Sequence, residues 1–151
     1  PTIVKMPVFE SFYIRNKGYN SNIKETWQKL QTWILTNNIT NYKQIALFHD
    51  NPTITPLNDC QYIGCVVVDN PQKVKSDRLP NFKISDGVYA KFDLKGKTGD
   101  VLPFIHWVYH EWLPKSEYET TTKPSYAIYE KLDILDESDE FELSFYVSIN
   151  F

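Results

Sequence analysis

Apolar residues along the chain recur at two spacings, and each spacing marks a different element. Val8 to Arg15 is rich in β-branched and aromatic residues and runs into the turn signal Asn16-Lys17-Gly18, which reads as a strand. Ile23, Trp27, Leu30 and Ile34 then recur at intervals of three and four, the mark of one buried helical face, with Asn22 placed to cap the helix and Asn37 near its end. Two further strands are predicted, near Gln44 to His49 and Tyr62 to Val68, around a loop broken by Pro52, Pro56 and Asn58.

The same order returns after a polar linker from about Asp69 to Asn81. Val88 to Leu94 is the new strand. Lys95-Gly96 then matches Lys17-Gly18, Val101 matches Ile23 and Ile105 matches Trp27, all at one constant offset. A second helix is predicted from about Gly99 to Leu113, stopped by Pro114, and two strands follow near Ser125 to Tyr129 and Phe141 to Ile149. In the last strand Phe141, Leu143, Phe145, Val147 and Ile149 alternate with Glu142, Ser144, Tyr146 and Ser148, so one face is apolar.

Two β-α-β-β units, each with one apolar sheet face and one amphipathic helix, predict an α+β fold. A single antiparallel sheet carries both helices, related by a pseudo-twofold axis. The expected organisation is one domain over residues 1–151, with repeat 1 about 1–69 and repeat 2 about 82–151. The seam between repeats is the natural place for a small-molecule site.

Composition narrows the partners. A net charge of −3 with no Lys/Arg stripe argues against direct nucleic-acid contact, because phosphate neutralisation supplies most non-specific affinity. No apolar run approaches the length of a membrane span and no signal segment opens the chain, so a cytoplasmic protein is expected. Cys60 and Cys65 lie at odd spacing in an apparent strand, which sends them to opposite faces and favours two free thiols. The chain opens on Pro1, which suggests the C-terminal part of something longer; an excised segment accounts for that proline without the amine chemistry of tautomerases.

Aromatic residues are dense around the predicted seam: Tyr13, Trp33, Phe48, Trp107, Tyr109, Trp112, Tyr126 and Tyr129. Trp27 and Trp112 extend the apolar helix faces and read as core. Trp33 and Trp107 sit off those stripes and are the better pocket candidates, since an aromatic face can stack on a planar ligand or hold a cation. Glu111 is the one acidic residue inside the aromatic second helix, with Glu142 a weaker alternative. His106 and His110 have a spacing that could share a metal, but the helix ends too soon for the zinc-protease pattern and two solvent-edge histidines are the ordinary explanation. No catalytic triad order, phosphate loop or Cys-x-x-Cys pair is present, so neither catalysis nor a cofactor is implied.

The order of several short motifs resembles the gyrase-inhibitory-protein-like effector-binding domains of AraC-type transcription regulators. They are Tyr13-Ile14-Arg15-Asn16-Lys17-Gly18 before a helix with Trp27 and Trp33, His49-Asp50-Asn51-Pro52 with Thr55-Pro56, Gln61-Tyr62 to Asp69, and Glu111-Trp112-Leu113-Pro114 with Tyr118-Glu119 and Pro124-Ser125-Tyr126. The resemblance runs from Val8 to Ile149. It implies a multidrug-type sensor joined to a helix-turn-helix domain outside this chain, and ligand residues Tyr13, Trp33, Phe48, Trp107, Tyr109, Glu111, Tyr126 and Tyr129. Free-standing relatives include hydrolases, and a hydrolase or detoxifying binder, with Glu111 activating water and Tyr109 or Tyr129 orienting the substrate, is the alternative, with a protein-protein inhibitory module as a third class. The family's usual floor glutamate is replaced here by Ala127, while the motif tyrosine is kept as Tyr129. That exchange removes the charge expected to face cationic ligands and leaves Glu111 as its leading substitute.

Overall fold

A computed structural model describes residues 1–18, 22–48, 56, 59–68, 79–97, 100–132 and 140–150. Its described strands are β1 (Thr2–Met6), β2 (Phe9–Lys17), β3 (Tyr42–Phe48), β4 (Gln61–Val68), β5 (Asn81–Ile84), β6 (Gly87–Lys97), β7 (Glu119–Thr120), β8 (Ser125–Leu132) and β9 (Glu140–Asn150). All pair antiparallel, in the order β1-β6-β9-β8-β3-β4-β2-β5, with the short β7 added to β9.

Two links show that this sheet is curled. β1 and β2 are six strand positions apart, which is about 29 Å in a flat sheet. Only Pro7 and Val8 join Met6 to Phe9, a reach of about 11 Å. β5 and β6 stand equally far apart and are joined by only Ser85 and Asp86. Both short links can exist only if the two edges of the sheet bend toward each other. The inner face then packs as one cluster drawing on every part of the sheet: Val4, Met6, Phe9 and Ile84 from near the edges, and Ile45, Leu47, Ile63, Cys65, Tyr89, Tyr126 and Tyr146.

The helices lie on the outer face. Helix α1 (Asn22–Thr36) buries Trp27, Leu30, Trp33 and Ile34 and rests on β2 and β4. Its approach to β4 is close because Gly64 has no side chain: a Cβ there would stand 2.9 Å from Leu30 Cδ1 and 3.0 Å from Thr26 Cγ2. The helix ends where Asn38 takes a left-handed φ of 55°, letting the Ile39 amide donate back to the Ile34 carbonyl at 3.1 Å. The second helix begins as α2 (Val101–Trp107), widens into a π-helical turn (Val108–Trp112) and finishes as α3 (Leu113–Lys115). Ile105 and Val108 are its buried anchors, and Phe104 meets Phe92 of β6 and Phe145 of β9 edge-on.

Several sequence expectations change. Each half carries an extra leading strand, β1 and β5; Asn81, read as the end of a linker, begins β5. These strands are short and lie at the sheet edges, so they lack the long alternating runs that identify a strand. Pro114 does not stop the second helix. A proline ring in a regular helix collides with the carbonyl four residues back. Here the π turn inserts extra chain just before it, with the Leu113 amide donating to the Val108 carbonyl. The alternate residues of the last strand are not a solvent face either, for Ser144, Tyr146 and Ser148 are buried inside the curl. Cys60 and Cys65 are both free and sit in opposite clusters, as their spacing implied. The motif residues His49 to Thr55, the breaker Asn58, Gly99 and the cap side chain of Asn22 lie outside the described residues.

Candidate functional site

The seam is a strip of sheet formed by β3 and β8, which are direct neighbours. α1 rests on β2 and β4 to one side of it, and α2 touches β6 and β9 to the other. Along the strip, the outward residues of β3 are Ala46 and Phe48, and those of β8 are Ser125, Ala127 and Tyr129. Ala46 and Ala127 pair directly across the two strands, and both are fully buried. Two methyl groups at the centre of an otherwise aromatic surface leave a low place in the floor, and larger side chains close over it.

Those larger side chains come from both helices. Trp27 of α1 stands edge-on to Tyr129 with ring centres 5.9 Å apart, and its indole N–H donates to the Tyr62 hydroxyl at 2.8 Å. Tyr62 also shares a hydrogen bond with Tyr129. From the second helix, Tyr109 reaches down to the Ser125 side chain. Phe48 lies between Tyr62 and Phe145, edge-on to each at 5.5 and 5.9 Å. The site therefore offers ring faces, phenol and serine hydroxyls and one indole N–H.

Its electrostatics follow from burial. Loss of hydration pushes the Tyr129 phenol up to about 12 and the Tyr62 phenol well above its ordinary value, the effect on Tyr62 being reinforced by Tyr129 nearby. Burial also raises Tyr109, against a smaller opposing effect of its bond to Ser125. All three phenols stay neutral at physiological pH. No charged side chain is buried among the described residues.

The eight residues singled out from sequence separate into distinct places. Phe48, Tyr109 and Tyr129 meet at the seam. Trp33 is buried under α1 against Phe12 of β2, with rings 4.9 Å apart, on the far flank from β8. Trp107 and Glu111 lie on the flank of the second helix that faces β6: Trp107 is 45% exposed and packs on Phe92 and Phe104, and Glu111 is paired at the surface with Lys115 at 3.2 Å. Tyr13 and Tyr126 point into the curl, the first edge-on to Phe82 and the second stacked on Tyr146. His106 and His110 have ring centres 5.3 Å apart on the exposed side of the second helix, and no group able to hold a metal occurs among the described residues.

Two seam residues escaped the sequence reading. Trp27 was read as core, which it is, but its indole also carries a polar contact. Tyr62 shares a strand face with Val66 and Val68 and gave only the signal of a polar atom on an apolar stripe.

Among solved structures, the fold is similar to that of the C-terminal domain of EcmrR: TM-score 0.75 and 15% identity, covering 99% of this chain and 96% of that one. It also matches EcmrR in a complex with DNA, where the chain spans 56% of its counterpart's length, with TM-score 0.76 and 16% identity. A hydrolase encoded by lin2189 from Listeria innocua is similar at TM-score 0.62 and 9% identity, covering 99% and 91% of the two chains. No curated protein shows a significant sequence match. These identities establish a shared fold, while the match of the family's sequence model reaches further. It covers residues 1–149, and the chain belongs to the GyrI-like small molecule binding domains.

Proposed function

We propose that this chain is the effector-binding domain of a cytoplasmic transcription regulator, of the AraC type that the sequence resemblance indicates, and that its ligand binds at the seam over β3 and β8. The supporting observation is the Ala46–Ala127 pair beneath Trp27, Phe48, Tyr62, Tyr109 and Tyr129. The alanines leave room that the rings alone now cover, so a ligand enters by parting them. A helix-turn-helix domain outside this chain would read the DNA; EcmrR, solved as a DNA complex with a chain longer than the matched part, supports that arrangement by analogy.

The two halves are best explained as copies of one β-β-α-β-β unit. Exchanging β1 with β5, β2 with β6, β3 with β8 and β4 with β9 turns the strand order into its own reverse. A pseudo-twofold axis passing between β3 and β8 would make the seam the contact between the copies.

The ligand we infer is small, neutral and largely aromatic or aliphatic. A lipophilic cation loses hydration on burial, and ring faces return only part of it. Ala127 supplies no carboxylate, and Glu111 lies on the other flank, held by Lys115. SAV2435, which has the same fold at TM-score 0.62 and 9% identity, was solved with tetraphenylphosphonium, so that cation and neutral triphenylphosphine oxide make a direct comparison. The neutral compound should bind more tightly, Tyr129→Phe should weaken it, and Glu111→Gln should leave it unchanged. Loss of binding in Glu111→Gln, with Tyr129→Phe silent, would move the site off the seam. The hydrolase reading receives less support, because Glu111, its water-activating base, is apart from Tyr109 and Tyr129.

A further inference from the structure

The second helix carries another feature on its far flank. A groove of about 230 Å³ opens there, lined by Trp107, Glu111, Trp112, Lys115 and Ser116. The π turn creates it. In a regular helix, residues five apart point about 140° away from each other. A π turn holds more residues per turn, and the same two positions fall within about 50°. Trp107 and Trp112 are such a pair. Both stand perpendicular to the ring of Phe92, at 6.3 and 4.9 Å, so one residue of β6 supports two tryptophan walls. Trp112 is held further by stacking on Tyr118 at 6.4 Å, and Trp107 by stacking on Phe104 at 6.0 Å.

The groove already seats a cation. Lys115 Nζ donates to Glu111 Oε2 at 3.2 Å, one helical turn away and beside both indoles. The Lys115 side chain is 78% exposed and the Glu111 side chain 50% exposed. An ion pair this open is held weakly and gives way to a competitor at little cost. A ligand that brings its own ammonium together with an aromatic ring can replace Lys115 on the carboxylate and fill the space between the tryptophans, where a ring face attracts both parts.

We propose that this groove is a second, peripheral binding site for small aryl-alkyl primary ammonium compounds, and that Lys115 is its built-in competitor. It is independent of the seam: different elements line it, and its ligand carries the charge that the seam lacks.

The test is calorimetric titration with phenethylammonium and with 2-phenylethanol, its uncharged counterpart, supported by the shift of the Trp107 indole resonance. Phenethylammonium should bind at millimolar concentration or better, and more tightly than the alcohol. Glu111→Gln should remove that preference, and Trp107→Ala should weaken binding by about tenfold, the loss of one ring–cation contact. Lys115→Ala should tighten it by about threefold, matching a weak surface pair released. A gain in affinity cannot come from a damaged fold. Absence of binding, equal affinity for amine and alcohol, or a Lys115→Ala variant that binds no better than the parent would overturn the proposal.

Discussion

The indole of Trp27 donates its proton to the hydroxyl of Tyr62 at 2.8 Å, joining the first helix to the fourth strand through a bond wholly inside the core. A buried donor that loses its acceptor costs more than the bond returned, about 1 to 3 kcal/mol. Tyr62→Phe should therefore lower unfolding stability by about 1 to 3 kcal/mol although it removes one oxygen. Urea denaturation followed by tryptophan fluorescence measures this directly, and an unchanged midpoint would show that the indole finds another acceptor.

The same helix is set on the sheet by an absence. At Gly64 a methyl group would press on Leu30 and Thr26 at 2.9 and 3.0 Å. Gly64→Ala should push α1 outward and destabilise by about 1 to 3 kcal/mol, the range for overfilling a packed core, despite alanine being the better residue in a strand. If the variant matches or exceeds the parent in stability, the helix has slack that the close contact denies.

The interior of the curl gives the opposite sign. Tyr126 is fully buried between Tyr89 and Tyr146, and its hydroxyl is the one buried side-chain polar atom without a partner among the described residues. Tyr126→Phe keeps the ring packing and removes the unpaired group, so stability should stay level or rise by up to about 1 to 3 kcal/mol. A loss of more than a fraction of that would mean that the hydroxyl does have a partner.

Much of this architecture could be read from periodicity. The helix over residues 22–36 and the alternation in β9 were plain because each buries a regular stripe. β1 and β5 were not, since they are short edge strands whose importance lies in closing the curl rather than in a repeating pattern. The second core was hidden for a related reason: Tyr89, Tyr126, Tyr146 and Ser148 are polar-tipped or small residues that look like a solvent face until the sheet bends round them. At the site, Phe48, Tyr109 and Tyr129 were found by their aromatic character. Trp107 and Glu111 were placed beside them because the sequence cannot show a π turn, which redirects everything after residue 107.

Alkaline pH provides a global check on the buried phenols. Burial holds Tyr129 at about 12 against an ordinary 10.0, and raises Tyr62 as well. Between those values the unfolded chain has released protons that the folded chain retains. The stabilising contribution is complete below about pH 10 and is lost as pH rises toward 12. Unfolding stability should fall across that window, and ultraviolet titration should show a group of tyrosines that ionise only as the protein unfolds. Ionisation of all the tyrosines as ordinary phenols in the folded state would contradict the burial of this cluster.

The central claim is that the seam binds a neutral small molecule over Ala46 and Ala127. The most direct measurement is the ratio of Kd for triphenylphosphine oxide and tetraphenylphosphonium, in the parent protein and in Ala127→Glu. With no carboxylate in the floor, the parent should prefer the neutral compound by about tenfold or more, and the new glutamate should turn the preference toward the cation. A parent that prefers the cation, by a ratio that Ala127→Glu does not change, would place both the ligand and its charge partner somewhere other than this seam.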